Sequence, residues 1–190
     1  MIFTQAPLPG VYIIEIEAYE DGRGFFARTV CQEEFKRHGI NADFVQQSVS
    51  WNRHQGTVRG LHYQASPYEE EKLVRVTRGA IFDVVVDIRS DSPTCGQWFS
   101  VELSSINHRQ IYIPKGCAHG FQTLHADTEV LYQMTVPYHP KAQRGILWND
   151  PTFRIAWPFP VVDSGDNTTL SKADSLLPEW KRDLVGGYYD

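Results

Sequence analysis

Four side chains of this sequence have the types and spacing that suit proton transfer. His62 and Gln64 lie two residues apart, Lys72 follows them, and His119 lies in a stretch rich in Pro and Gly. Two imidazoles, an amide and an ammonium bind a divalent metal poorly, because a ligand must donate a lone pair and a nearby positive charge opposes the ion. The same groups can move protons beside a developing negative charge. The set therefore predicts acid–base chemistry without a metal.

The same residues resemble the metal motif of cupins with its ligands replaced. A metal-binding cupin offers two histidines separated by one residue, then a glutamate, then a histidine in a second motif. Here Gln64 stands at the second histidine position, Lys72 lies where the carboxylate would be, and His119 belongs to the second motif. A metal-dependent cupin dioxygenase is one alternative, and Gln64 and Lys72 argue against it. Stoichiometric iron in the purified protein would favour it.

Composition and charge restrict the class of protein. The chain has 190 residues, enough for one domain spanning residues 1–190, and a net charge of −5 that argues against general nucleic-acid binding. No apolar run reaches the roughly 20 residues that span a bilayer. The N-terminus lacks the basic and apolar regions of a signal peptide. Three widely spaced cysteines indicate free thiols, so we expect a cytoplasmic protein without membrane contacts.

Short runs rich in β-branched and aromatic residues alternate with turn residues along the chain. Strands are predicted over residues 11–17, 25–30, 73–77, 80–88, 98–103, 109–113 and 129–136. Residues 32–38 predict a helix that ends at Gly39, and one or two short helices are predicted around Ala173 and Trp180. Many short strands in one domain predict an all-β sandwich or jelly roll with a few peripheral helices.

Two of the candidate segments also have plain structural explanations. In a regular strand Arg59 and His62 point to opposite faces unless the backbone turns at Gly60. The segment therefore fits a site, or a surface arginine beside a core histidine, about equally. The glutamates at residues 69–71 predict a solvated acidic loop that leads into a strand.

Three further candidates gain weight only in combination. Pro114 and Gly116 predict a tight turn that presents His119. A strand tyrosine such as Tyr132 usually packs in a core, and Ser171 predicts a helix N-cap.

Taken together, these segments resemble the dTDP-4-dehydrorhamnose 3,5-epimerase family over nearly the whole chain. The matching stretches, in order, are 21–26 (DGRGFF), 44–47 (FVQQ), 58–64 (VRGLHYQ), 72–76 (KLVRV), 82–87 (FDVVVD), 92–94 (SPT), 113–121 (IPKGCAHGF), 138–140 (YHP), 145–151 (GILWNDP), and 170–171 (LS) with Asp174. The resemblance implies a cupin-type jelly roll and a homodimer with N-terminal strands at its interface. It implies no metal and no dissociable cofactor. The implied substrate is a nucleotide-diphosphate sugar, dTDP-4-dehydro-6-deoxy-D-glucose, epimerised at C3 and C5.

The resemblance also implies catalytic residues that fit this chemistry. A C4 ketone acidifies the hydrogens on C3 and C5, so epimerisation needs a base, an acid on the other face and a cation for the enolate oxygen. His62 is the implied base, and Asp174 is its paired carboxylate, which fixes the imidazole tautomer. Tyr132 is the implied acid, and Lys72 lies near the C4 oxygen.

The remaining implied residues bind the nucleotide sugar. Arg59 and His119 contact the diphosphate, because a guanidinium can bind phosphate oxygens bidentately. Gln46 and Ser48 line the same pocket, and Tyr138 closes over the substrate. The thymine of the nucleotide is held by side chains that come from the partner subunit, namely Arg23 with Phe25 or Phe26.

Two positions depart from the family pattern and keep alternatives open. Arg28 replaces a glutamate that reads the thymine, and Ser48 replaces an asparagine. A C3- or C5-only epimerase acting on a related dTDP- or CDP-linked 4-ketosugar would keep the same catalytic residues. A non-catalytic sugar-binding cupin would bind the nucleotide sugar without exchanging its α-hydrogens.

Overall fold

The computed structural model describes residues 1–165 and 168–181, so the part of the predicted domain at residues 166–167 and 182–190 lies outside the described residues. The described ranges contain thirteen strands and two short helices: β1 (Ile2–Gln5), β2 (Tyr12–Glu15), β3 (Ala18–Asp21), β4 (Gly24–Ala27), α1 (Gln32–Arg37), β5 (Gln46–Asn52), β6 (Val58–Gln64), β7 (Lys72–Arg78), β8 (Ala80–Asp87), β9 (Trp98–Ser104), β10 (Gln110–Ile113), β11 (Cys117–Thr123), β12 (Thr128–Met134), β13 (Gln143–Gly145) and α2 (Lys172–Ser175). The all-β fold class predicted from the sequence is confirmed. No helix in this part of the chain is both long and apolar enough to cross a membrane.

Two antiparallel sheets enclose the main core. The six-stranded sheet has the order β1-β2-β10-β7-β12-β5, and the five-stranded sheet has the order β13-β6-β11-β8-β9. Side chains alternate between the two faces of a strand, so every second residue points into the space between the sheets. Val76, Val85 and Phe121 belong to a buried cluster within this space. Strands β3 and β4 form a separate hairpin.

The C-terminal part of the chain covers the outer face of the five-stranded sheet. Val84 and Val86 of β8 pack there against Ile146 and Phe153. The continuous apolar run of β8 follows from this arrangement, because both of its faces are buried. The described residues 146–165 and 168–181, here called the C-terminal strap, also include α2.

Most of the predicted elements are found with small differences in their bounds. The predicted helix is α1, and Gly39 follows it with φ +70°. Strands β1, β3, β5, β6, β11 and β13 were not among the predicted strands, because their short or polar sequences give little periodic signal and the neighbouring strands stabilise them. Of the predicted C-terminal helices, α2 lies at Ala173. Residues 176–181 form no helix as far as the strap is described; Pro178 instead accepts a hydrogen bond from Leu147.

Candidate active site

An irregularity in β6 turns two candidate side chains to the same face. His62 pairs with His119 on β11 and Arg59 pairs with Phe121, so β6 contains one more residue than β11 between these pairs. Gly60 has φ +108°, and a Cβ there would lie 2.6 Å from the His119 carbonyl oxygen. Only glycine fits this conformation and this close approach. Arg59 and His62 therefore both face the space between the sheets.

His62 is bonded to a carboxylate that the C-terminal strap delivers. Its Nε2 lies 2.7 Å from Oδ1 of Asp174, on the helix α2. The Ser171 side chain caps this helix by accepting a hydrogen bond from the Asp174 backbone N–H. The N-cap predicted at Ser171 is thus confirmed, and it places Asp174 beside β6. The His62 side chain stays 35% exposed, whereas that of Asp174 is 10% exposed.

The surroundings of Asp174 keep its carboxylate ionised. Burial raises its pKa, but hydrogen bonds from His62, the Ser171 side chain and the Gly60 backbone together hold the pKa below its ordinary value. An ionised carboxylate accepts hydrogen bonds, so Nε2–H of His62 donates. In the neutral ring Nδ1 then carries the lone pair, and the imidazole is oriented to act as a base.

Tyr132 approaches the same space from the opposite sheet. It lies on β12 between Ser48 of β5 and Val74 of β7, and it packs against the core between the sheets. Its ring centroid is 6.1 Å from that of His119, across the two sheets. Burial raises the pKa of the Tyr132 hydroxyl far above its ordinary value, and the negative charge of Asp83 raises it further. The phenol is therefore protonated at neutral pH, which is the form that can donate a proton.

His119 belongs to a second histidine–carboxylate pair that is almost fully buried. Its Nε2 lies 2.8 Å from Oδ2 of Asp83, and the two side chains are 4% and 0% exposed. The tight turn predicted from Pro114 and Gly116 is confirmed at residues 115–116, directly before β11. His119 lies beyond this turn, within the strand, where β6 and β8 pair with it on both sides.

Lys72 lies on the inner face of its sheet and forms an ion pair with a carboxylate. Its Nζ lies 2.9 Å from Oε1 of Glu70, and both side chains are nearly buried, at 13% and 10% exposure. Lys72 precedes Val74 by two residues on β7, so it shares the inner face with Tyr132. The predicted solvated loop is therefore wrong for Glu70. An ammonium that enters a partly buried site brings its counter-ion with it.

The predicted substrate-binding residues that lie outside the β3–β4 hairpin surround the same space. Gln46 accepts a hydrogen bond from the Tyr138 backbone N–H at 2.6 Å, and the Tyr138 hydroxyl donates to the side chain of Gln143. Ser48 is exposed beside Tyr132 on β5. Arg59, an exposed residue, donates its Nε–H to Asn52 at 2.7 Å, which orients the guanidinium.

The hairpin residues lie elsewhere on the surface of the chain. Arg23 is 91% exposed and pairs with Asp21 at 2.7 Å, and Phe26 is 76% exposed. Phe25 makes a ring contact with His108. Within the described residues no hydrogen bond or ring contact joins these three side chains to the residues around His62. Arg28 pairs with Glu34 of α1 at 3.4 Å.

Sequence reasoning missed the partners that hold the functional side chains. Asp83, Glu70, Asn52 and Gln143 were not among the predicted site residues. A signal existed for Asp83, since a charged residue inside the apolar run of β8 must be paired when buried. In residues 1–165 and 168–181, no group of three or more His, Cys, Asp or Glu side chains is arranged to hold a metal ion.

Comparisons with known proteins agree on one family. The family model described as dTDP-4-dehydrorhamnose 3,5-epimerase matches residues 5–182. A protein of that name from Sinorhizobium fredii is 44% identical over 178 residues, which cover 94% of this chain and 89% of that protein.

Solved structures give the same result. The crystal structure of a dTDP-4-dehydrorhamnose 3,5-epimerase from Bacillus anthracis with TDP and PPi bound has a TM-score of 0.88 and 38% identity, covering 94% of this chain and 99% of that one. A dTDP-6-deoxy-D-glucose-3,5-epimerase from Legionella pneumophila in complex with dTDP-4-keto-L-rhamnose has a TM-score of 0.82 and 39% identity, covering 95% and 98%.

Proposed function

The chain belongs to the dTDP-4-dehydrorhamnose 3,5-epimerase family, and we propose that it converts dTDP-4-dehydro-6-deoxy-D-glucose to dTDP-4-dehydro-L-rhamnose. One observation carries this proposal. A basic imidazole nitrogen on His62 and a protonated phenol on Tyr132 enter one space from opposite sheets. Inversion of a carbon next to a ketone needs such a pair, because the proton leaves one face and returns to the other.

We propose that the residues act as follows. Nδ1 of His62 removes the hydrogen from C3 or C5, and the electron pair moves to the C4 oxygen. Asp174 stabilises the imidazolium that forms, and the ammonium of Lys72 stabilises the enolate oxygen. The Tyr132 hydroxyl then protonates the carbon on the opposite face. Exchange with solvent returns His62 and Tyr132 to their starting states before the second carbon reacts.

Binding of the nucleotide sugar is assigned to the remaining inner-face residues. Arg59, fixed by Asn52, and His119 are proposed to contact the diphosphate, which suits the positive charge and fork of a guanidinium. Gln46, Ser48 and Tyr138 are proposed to line the pocket above it. Tyr138 is 53% exposed on a loop tied to Gln46, so its ring can close over a ligand.

The exposed hairpin supports a proposed homodimer. Tyr19 and Phe26 are 78% and 76% exposed, and such large neighbouring aromatic side chains are unusual on the surface of a monomer. Strand β5 is an edge strand, and its Val49 and Trp51 are exposed on the face opposite to Ser48 and Tyr132. We propose that the β3–β4 hairpin of one chain, together with neighbouring N-terminal strands, covers this edge of a second copy.

In this dimer the hairpin supplies Arg23 with Phe25 or Phe26, which hold the nucleobase of the substrate in the partner's site. Arg28 is bound by Glu34 of its own chain, so the family glutamate at this position is replaced by a residue with a local role. We place the enzyme in the cytoplasm, because Cys31, Cys95 and Cys117 are free thiols.

Solvent exchange tests the proposed reaction. The protein is incubated in D2O with dTDP-4-dehydro-6-deoxy-D-glucose, and deuterium at each sugar carbon is followed by NMR. We expect label at both C3 and C5, and we expect His62→Ala to lose it by at least ~10³-fold while circular dichroism stays unchanged. Label at one carbon would instead identify a mono-epimerase. Binding of the sugar without exchange at either carbon would leave only a sugar-binding protein.

A further inference from the structure

Lys72 needs a device that fixes its ammonium in place. A lysine ammonium is a point charge on a flexible four-carbon chain, so its position depends on its bonding partners. Glu70 bonds it at 2.9 Å, and the low exposure of both side chains excludes most of the competing water. An ammonium has three donors. Glu70 occupies one of them, which leaves two for an oxygen of the substrate.

The Glu70 carboxylate is itself held from the other side. Its Oε2 accepts a hydrogen bond from Nε2 of Gln64 at 2.8 Å, while its Oε1 faces Lys72. Gln64 is 5% exposed and lies two residues after His62 on β6. Glu70 therefore links the first residue of β7, in one sheet, to the strand that carries His62, in the other sheet.

Gln64 extends the same network to the Tyr138 loop. Its side-chain oxygen accepts a hydrogen bond from the His139 backbone N–H at 2.6 Å, and its Nε2 also donates to the Tyr68 carbonyl at 3.1 Å. The rings of Tyr68 and His139 stack with centroids 3.8 Å apart. The residues that flank Glu70 and Tyr138 are thus packed together, and neither oxygen of the Glu70 carboxylate is free to swing.

We propose that Glu70 is a positioning residue for the epimerisation, which holds the Lys72 ammonium where the enolate oxygen forms. This inference rests on the proposed function. Among the three consecutive glutamates Glu70 alone is bonded to both Lys72 and Gln64. Glu71 instead interacts with Tyr112, and Glu69 lies outside this network as far as the described residues show.

Glu70→Gln tests the proposal with little change of shape. A glutamine can still accept from Gln64, but its amide N–H groups face the ammonium and displace it. We expect kcat to fall about ten- to hundredfold with KM changed less than threefold, since misplacement of a catalytic group by about 1 Å has effects of this size. Glu69→Gln removes the same charge one residue away, and we expect it to match the wild type. Thermal unfolding of both variants checks that the fold is intact.

A double-mutant cycle with Lys72→Met separates positioning from other roles. If Glu70 acts through Lys72, the change Glu70→Gln has little further effect on kcat once Lys72 has been replaced. An undiminished effect in the Lys72→Met background overturns the proposal, as does a Glu70→Gln enzyme as fast as or faster than the wild type. Solvent exchange by the wild type, measured in parallel, distinguishes failure of the Glu70 proposal from failure of the proposed epimerase function. No exchange in the wild type contradicts the proposed function itself.

Discussion

Two histidine–carboxylate pairs lie near each other in this fold and differ in what surrounds them. The bond lengths are almost the same, 2.7 Å for His62 and Asp174 and 2.8 Å for His119 and Asp83. The side chain of His62 is 35% exposed, whereas that of His119 is 4% exposed and that of its partner Asp83 is fully buried. The same chemical pair is therefore widely open to a ligand in one place and almost enclosed by the sheets in the other.

The connections of the two pairs explain the difference. Asp83 and His119 lie on β8 and β11, which pair along their whole length, so the sheet itself holds both side chains. Asp174 comes from the C-terminal strap, 112 residues from His62 in sequence. A pair formed between a sheet and a covering segment lies at the boundary of the core. That boundary is where a base can meet a substrate and still be oriented.

Asp174→Asn is expected to have the largest effect of the changes that probe this comparison. The amide keeps the size of the side chain but cannot neutralise an imidazolium, so we expect kcat to fall about 10²- to 10⁴-fold with KM changed only a few-fold. Steady-state kinetics measures both constants. Urea unfolding should give nearly wild-type stability. A strongly destabilised variant would mean that this pair, too, is mainly structural.

Asp83→Ala is expected to act in the opposite way. It leaves Nε2 of His119 without its partner in the core and creates a small cavity, which together cost about 3 kcal/mol of unfolding free energy. Urea unfolding followed by tryptophan fluorescence measures this loss. The folded enzyme should lose less kcat than Asp174→Asn does. Wild-type stability in Asp83→Ala would remove the distinction between the two pairs.

Much of the fold could be predicted from local sequence. Alternating and continuous apolar runs gave β7, β8, β9 and β12 close to their observed bounds, because those strands bury one or both faces. Strand β11 was not predicted, since its sequence contains His119 and small residues. Its strand conformation comes from hydrogen bonds to β6 and β8, which are far away in sequence.

The site residues were predictable only where the sequence resembles the motifs of the family. Local reasoning could not decide whether Arg59 and His62 share a face, because the answer depends on Gly60 packing against His119 of another strand. The partners Asp83 and Glu70 are fixed by tertiary contacts, and a charged residue in an apolar run gives only a hint of one. Asp174 has a clear local role beside the Ser171 cap, and nothing local indicates that it meets His62.

A third buried carboxylate, Asp87, sharpens the comparison because its partner is a permanent cation. It lies on β8 four residues after Asp83, has no exposure, and accepts hydrogen bonds from Arg89, Ser92 and Thr94. Burial raises its pKa, but these bonds outweigh burial and lower the pKa to about 2.

A carboxyl with a lowered folded-state pKa stabilises the fold above its ordinary pKa, and this contribution is lost as the pH falls through the folded value. The stability that Asp87 contributes, about 2 kcal/mol, should therefore disappear between about pH 4 and pH 2. Asp87→Asn should be less stable than the wild type by this amount at pH 7 and equally stable near pH 2. Asp91→Asn, at an exposed position in the same loop, should match the wild type throughout. Urea unfolding at a series of pH values measures all three proteins. A difference between wild type and Asp87→Asn that does not change with pH would show that the Asp87 hydrogen bonds, rather than its charge, stabilise this end of β8.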